Sequence, residues 1–215
     1  MGFLIQILYA LSTALMAPVI VLLLALLVWA ALLLGGLFGE WRDRRRGRER
    51  LRRVLSDLEA GRAEGGRSAA ELLDLLGGTG SGAERFLSQA ARCGAESDPV
   101  VLGKLADDIQ LELEGRIGKA SLGTRLGPML GLMGTLIPMG PALTGLAAGN
   151  VEVMSRNLVV AFSTTVLGIL VGGICHLVAV ARGRWYARDG SDIEFLHDWL
   201  LRPGREGAEG GSSDS

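Results

Sequence analysis

The sequence predicts an all-α integral membrane protein with three transmembrane helices, a helical cytoplasmic domain between the first and second, and helices that extend into the cytoplasm. The prediction rests on how charge is distributed along the 215 residues. Residues 1–39 carry no charged side chain, and residues 126–181 carry two, Glu152 and Arg156. Uncharged apolar runs of this length are typical of helices that cross about 30 Å of hydrocarbon. The pattern argues against a soluble globular domain.

Residues 1–39 are predicted to form an N-terminal interfacial segment and the first transmembrane helix. The densest apolar part runs from Leu15 to Phe38, and Pro18 marks an expected bend near its start. No Lys or Arg precedes this part, and arginines follow it directly, whereas a signal peptide begins with basic residues and ends at a small-residue cleavage site. We therefore interpret the segment as a retained helix.

An arginine-rich stretch, residues 41–53, follows the first span. It holds eight arginines, and each would cost about 2.5–3.5 kcal/mol at the centre of a membrane helix. We therefore expect the stretch to stay in the cytoplasm, which places the amino terminus outside. A nucleic-acid or anionic-lipid patch is the alternative interpretation. A basic block directly after a span is more often a topology signal, so no nucleic-acid partner is expected.

Residues 40–125 are predicted to form the cytoplasmic helical domain. Ser68 and Ser81 each precede a glutamate by three residues, which is the capping-box pattern of a helix start. Asp98 followed by Pro99 predicts another helix start, and this helix is expected to continue towards the second span. The apolar residues that recur at helical spacing in it are Leu102, Leu105, Ile109, Leu113 and Ile117.

Residues 126–181 predict a hairpin of the second and third transmembrane helices, joined by about eight residues, 149–156. Residues 182–215 are predicted to form a cytoplasmic C-terminal helix and a disordered tail. The basic residues that follow the third span are Arg182, Arg184 and Arg188. They place the carboxyl terminus inside, so all the charge blocks agree on three spans of one orientation in the inner membrane.

Both helices of the predicted hairpin carry stripes of small residues at spacings of three and four, and such residues let membrane helices approach closely. The stripes consist of Gly127, Gly131, Gly134, Thr135 and Pro138 on the second span, and of Ala161, Thr165, Gly168 and Gly172 on the third. The residues predicted to serve helix packing are Gly127, Pro128, Gly131, Gly134, Gly168 and Gly172. Spacing alone predicts a structural role for Thr135 and Thr165, because a membrane threonine usually donates a hydrogen bond to a carbonyl of its own helix.

Ionisable side chains are scarce inside the predicted spans. His176, near the cytoplasmic end of the third span, is a candidate titratable residue, although a group near the interface reaches water at little cost. No Asp, Glu, Lys or Arg lies inside any span, whereas a proton pump or channel usually needs a membrane carboxylate. The cysteines and histidines lack metal-ligand spacing, so no metal and no other cofactor are expected.

Two motifs of the hairpin resemble those of the MotA/TolQ/ExbB proton-channel family. The first is Pro128 followed by Gly131-Leu132-Met133-Gly134-Thr135, and the second is Ala161-Phe162-Ser163-Thr164-Thr165-Val166-Leu167-Gly168. In the family they take the approximate forms P-x-x-G-L-x-G-T and A-L-x-x-T-x-x-G-L. Three spans with a cytoplasmic insert after the first resemble TolQ and ExbB in layout, whereas MotA proteins have four spans.

The resemblance implies a ring-forming subunit of an ion-driven, energy-transducing channel rather than an enzyme. Family members form homo-oligomeric rings, typically pentamers, around a single-span partner of the MotB/TolR/ExbD type that supplies a membrane aspartate. Threonines of the ring face that aspartate, which implies that Thr135, Thr164 and Thr165 line the ion path. The proton is the usual ion of the family, and sodium is used by some relatives.

Two features depart from the family pattern. Val160 stands where ExbB and TolQ have a glutamate, and Pro138 and Pro141 form a pair that those relatives lack and that is expected to bend the second span. Two other functions stay open. The absence of repeats and of buried charge argues against a transporter acting alone, whereas the glycine stripes by themselves would suit a membrane scaffold or assembly protein without ion conduction.

Overall fold

The computed structural model describes residues 2–59, 68–77, 80–94 and 98–201, and every regular element in these ranges is a helix. The helices are α1 (Gly2–Glu59), α2 (Ala69–Leu76), α3 (Gly82–Cys93), α4 (Pro99–Ala147) and α5 (Val151–Leu201). The all-α prediction is confirmed for this part of the chain. Three helices, α1, α4 and α5, are long and apolar enough to cross a membrane, as predicted. The predicted disordered tail lies outside the described residues.

Local sequence signals set the starts of α2, α3 and α4. The hydroxyl oxygens of Ser68 and Ser81 each accept a hydrogen bond from the backbone N–H three residues further on, at 3.2 and 3.3 Å. A carboxylate oxygen of Asp98 accepts from the N–H two residues further on, at 2.9 Å. These bonds satisfy N–H groups that have no partner within the first helical turn. The three predicted helix starts are confirmed.

The long helices continue well beyond their apolar segments, as predicted. α1 passes through Pro18 and the arginine-rich stretch without interruption. α4 likewise continues through Pro128, Pro138 and Pro141, and α5 continues past Ala181 into a charged segment. Each of these helices therefore joins an apolar segment to a charged one as a single element.

The connection between α4 and α5 is the short stretch 148–150. Gly149 has a φ of 73°, in the left-handed region that favours glycine. The N–H of Asn150 donates to the carbonyl of Gly145 at 2.8 Å, and its side-chain oxygen accepts from the N–H of Val153 at 3.0 Å. This cap starts α5 several residues before its apolar segment begins. The loop between the two helices is therefore shorter than the linker of about eight residues that was expected between the two apolar spans.

The chain divides into two compact units, and each long helix contributes to both. Unit 1 consists of Met1–Gly36 and Ile117–Val180, and unit 2 of Leu37–Arg116 and Ala181–Ser215. Unit 1 contains the apolar segments of the three long helices, and unit 2 contains their charged segments. The four sequence ranges predicted as domains remain predictions, because they were defined by the side of the membrane rather than by packing.

In unit 1 the three long helices meet around a small core. Ala30 of α1 and Val171 and Cys175 of α5 are fully buried. A Cβ atom built on Gly123 of α4 would collide with the sulfur of Cys175 and would lie 2.8 Å from the ring of Trp29. Only a residue without a side chain lets α4 approach α1 and α5 this closely.

Unit 2 has a larger core, to which α2, α3, α4 and α5 contribute. Its fully buried large side chains are Leu72, Leu76, Phe86, Leu87, Leu102, Ile109 and Leu196. Of the five apolar residues predicted for one face of α4, Leu102, Ile109 and Leu113 are buried, whereas Leu105 and Ile117 are half-buried. Cys93 of this unit is exposed, and it forms no disulfide with the buried Cys175 of unit 1.

Candidate functional site: the hairpin of α4 and α5

The two small-residue stripes pack against each other, so that α4 and α5 touch through their backbones. A Cβ atom on Gly127 would lie 2.7 Å from the carbonyl oxygen of Gly168, and one on Gly168 would lie 2.6 Å from the carbonyl oxygen of Gly127. On the same contact, a Cβ atom on Gly172 would lie 2.8 Å from Cδ of Pro128. Backbone atoms have no freedom to move aside, so the contact depends on the glycines.

Thr164 fills the next position along the contact. Its side chain is 5% exposed, and a Cβ atom on Gly134 would lie 2.6 Å from both Cβ and Oγ1 of Thr164. The hydroxyl is within hydrogen-bond distance of two carbonyls of its own helix, those of Val160 at 3.1 Å and Ala161 at 2.9 Å. Within a single chain, Thr164 is therefore packed between the helices.

Thr135 and Thr165 lie at the edges of this contact and are partly exposed. The hydroxyl of Thr135 donates to the carbonyl of Leu132 at 2.7 Å, and that of Thr165 donates to the carbonyl of Ala161 at 3.2 Å. A hydroxyl that donates to its own helix keeps lone pairs free to accept. These two threonines can thus accept a hydrogen bond from water or from a protonated carboxyl group.

The sequence placed Thr165 on the packed stripe, whereas the structure puts Thr164 against Gly134. Both positions follow Ala161 at helical spacing, by three and by four residues, so periodicity alone does not separate them. His176, the candidate titratable residue, has an exposed side chain on α5. The assignment of Thr135, Thr164 and Thr165 to an ion path remains a prediction.

A buried ion pair in unit 2 was not predicted from the sequence. Arg44 of α1 donates two hydrogen bonds to the carboxylate of Asp189 of α5, at 2.8 and 2.6 Å. The backbone N–H of Gly82 donates to the same carboxylate at 3.1 Å. Glu40 accepts from Arg44 at 3.2 Å and from Arg182 at 3.3 Å. This network ties the charged segment of α1 to that of α5 and to the start of α3.

No sequence signal identifies the pair in advance. Arg44 is one of eight arginines in its stretch, and its partner lies 145 residues away. The helical period could indicate which side chains of α1 and α5 face each other only if the two helices were already known to run side by side. Asp189 also accounts for the glycine at the start of α3, because a Cβ atom on Gly82 would lie 2.9 Å from Cβ of Asp189.

Three apolar helices, two of them joined in this hairpin, define a helical membrane protein. Residues 100–188, which include the whole hairpin contact, match the family model described as the MotA/TolQ/ExbB proton channel family. The matched segment makes up 89 of the 215 residues. The match confirms the resemblance to this family that the two hairpin motifs indicated. No curated protein and no solved structure matches the chain.

Proposed function

We propose that this protein is the ring-forming subunit of a proton-driven, energy-transducing channel that works with a single-span partner of the MotB/TolR/ExbD type. The observation that carries the proposal is the hairpin within the family segment. Its glycines bring α4 and α5 into backbone contact, and Thr135 and Thr165 are left partly exposed beside that contact. The partner supplies the aspartate that the spans of this chain lack.

The chemistry of the two threonines suits this role. A protonated aspartate of the partner can donate to either hydroxyl oxygen, because each hydroxyl hydrogen is already directed at its own helix. After the proton leaves, the hydroxyl can rotate and donate to the carboxylate instead. Two apolar spans that each carry one such group offer a polar path without a fixed charge of their own.

Exposed apolar surface supports assembly into a homo-oligomeric ring within the membrane. Leu136 and Phe162 are each 66% exposed in the single chain, and Val166 is 64% exposed. Lipid tails and neighbouring subunits are the surroundings in which such side chains are stable. Five copies around the partner is the arrangement that we propose from the family resemblance.

Substituting valine for threonine tests the ion path. The double variant Thr135→Val/Thr165→Val keeps the shape of both side chains but removes both hydroxyl groups. We expect intact assembly and a reduction of partner-dependent proton flux in proteoliposomes by at least about tenfold, equivalent to about 1.4 kcal/mol of lost stabilisation.

Thr144→Val is the matched control. Thr144 also donates to its own helix, at 3.0 Å from the carbonyl of Pro141, but it lies outside the two hairpin motifs. Native mass spectrometry should show the same ring for all three proteins. Full flux in the double variant would reduce Thr135 and Thr165 to packing residues and favour a membrane scaffold.

The proposed orientation places the amino terminus outside and the carboxyl terminus, with the segment 40–125, in the cytoplasm of the cell. It follows from the basic residues that flank the apolar segments. In a Cys93→Ser background, the variant Asn150→Cys is expected to react with a membrane-impermeant thiol reagent added to intact spheroplasts. A cysteine at Ser56 should react only after permeabilisation, and its labelling in intact spheroplasts contradicts the orientation.

A further inference from the structure

Unit 2 contains a groove beside the charged segments of α1 and α5. A cavity of about 440 Å³ is lined by twelve residues, among them Arg44, Arg48, Arg52, Trp185 and Arg188. A second cavity, of about 320 Å³, shares Arg44, Arg48, Arg52 and Trp185 and adds Trp41, Arg45 and Glu49. We call these two cavities the arginine groove.

The groove has cations without ion-pair partners. Arg44 is already paired with Asp189 and Glu40, as described above. Arg48, Arg52 and Arg188 are exposed, and within the described ranges no carboxylate lies at ion-pair distance from them. Asp192, which lines the same cavity, interacts electrostatically with Arg188 and Arg48 over a longer distance. The larger cavity is lined by four arginines and two aspartates, Asp189 and Asp192, so its lining carries a net positive charge.

Two tryptophans lie at the groove. Trp41 comes three residues after Phe38, near the end of the apolar run, and the centres of the two rings are 5.6 Å apart. The guanidinium of Arg45 lies 4.9 Å from the centre of the Trp41 ring, and that of Arg44 lies 5.5 Å from Trp185. Tryptophan is enriched where apolar membrane meets water, because its ring is apolar and its N–H is polar.

We propose that the arginine groove binds a phosphate group, carried either by the headgroup of an anionic phospholipid or by a soluble phosphate ester. Guanidinium groups match phosphate oxygens in geometry and charge, and they remain charged at every physiological pH. Arg48 and Arg52 come from α1 and Arg188 from α5, so that one phosphate would be held from two helices. This role is independent of ion flow through the hairpin.

A triple variant, Arg48→Gln/Arg52→Gln/Arg188→Gln, tests the groove in the full-length protein. The matched control, Arg42→Gln/Arg50→Gln/Arg184→Gln, removes the same charge from the same two helices at exposed positions outside the two cavities. Native mass spectrometry in detergent then counts phosphatidylglycerol retained per chain, with zwitterionic phosphatidylcholine as the comparison lipid. Equilibrium dialysis of inorganic phosphate is the second arm.

For a lipid headgroup, the wild type and the control retain phosphatidylglycerol in preference to phosphatidylcholine, and the groove variant retains at least about tenfold less. For a soluble phosphate, dialysis shows binding that is lost only in the groove variant, without a lipid preference. Equal binding of both probes by the groove and control variants overturns the proposal. If the triple variant lacks wild-type helix content, Arg188→Gln alone is measured against Arg184→Gln by the same two assays.

Discussion

Replacing Gly168 with alanine is expected to break the contact between α4 and α5. The added methyl group would lie 2.6 Å from the carbonyl oxygen of Gly127 and 2.7 Å from the Cα atom of Gly131. Both neighbours are backbone atoms, so the helices themselves must separate. Overpacking of this kind costs about 1–3 kcal/mol, and here the upper end is expected. The variant should show a lower thermal unfolding midpoint in detergent and a weakened ring in native mass spectrometry.

Gly173→Ala is the control for this prediction. Gly173 lies on the same helix, and nothing comes within 4 Å of a Cβ atom built there. An open helical glycine replaced by alanine usually gains stability, by up to about 1 kcal/mol. The two substitutions are chemically identical and should act in opposite directions. Equal unfolding midpoints for the two variants would remove the argument that the glycine contact holds the hairpin together.

The second large effect is expected at the buried ion pair of unit 2. Asp189→Asn keeps the shape of the side chain but removes the carboxylate that accepts two hydrogen bonds from Arg44, which is left with Glu40 as its ion-pair partner. In the wild type the side chains of Asp189 and Arg44 are 4% and 9% exposed. Breaking a buried pair by removing one partner costs about 3–5 kcal/mol, and the lower end is expected here because Glu40 still pairs with Arg44. The thermal unfolding midpoint of the full-length protein should fall accordingly, and amide hydrogen exchange in unit 2 should become faster.

An exposed ion pair on α1, the helix that carries Arg44, provides the comparison. Glu49 and Arg53 are 3.8 Å apart, with side chains 83% and 76% exposed. Because such surface pairs contribute about 0–1 kcal/mol, Glu49→Gln should leave the midpoint almost unchanged. The double variant Arg44→Met/Asp189→Leu removes both charges and should lose less stability than Asp189→Asn alone. A double variant less stable than Asp189→Asn would mean that the hydrogen-bond geometry, and not the loss of the Asp189 charge opposite Arg44, determines the cost.

Much of the fold could be predicted because the decisive signals are local. Serine or aspartate before a helix, and apolar residues at helical spacing, act within one or two turns, so the starts of α2, α3 and α4 follow from neighbouring residues. The small-residue stripes also predicted that each of the two helices packs closely on another helix, since close approach between membrane helices needs residues such as Gly127 and Gly168. That the two stripes pack on each other is a finding of the structure.

The features that could not be predicted from the sequence depend on which faces of the helices pack against each other. Thr164 and Thr165 are adjacent, and only the rotation of α5 decides that Thr164 packs against Gly134. The partner of Arg44 could not be chosen among distant carboxylates, because an ion pair leaves no periodic pattern. The arginine groove has the same origin, since Arg188 joins Arg48 and Arg52 only when α1 and α5 lie together in unit 2.

The most direct measurement of the central claim is proton flux in proteoliposomes that contain this chain with and without its single-span partner. The chain alone should conduct no more than empty liposomes, since its spans contain no Asp, Glu, Lys or Arg. Addition of the partner should open a proton path, and replacing the partner's membrane aspartate with asparagine should close it. Flux through this chain alone, or unchanged flux with the asparagine partner, would contradict the account.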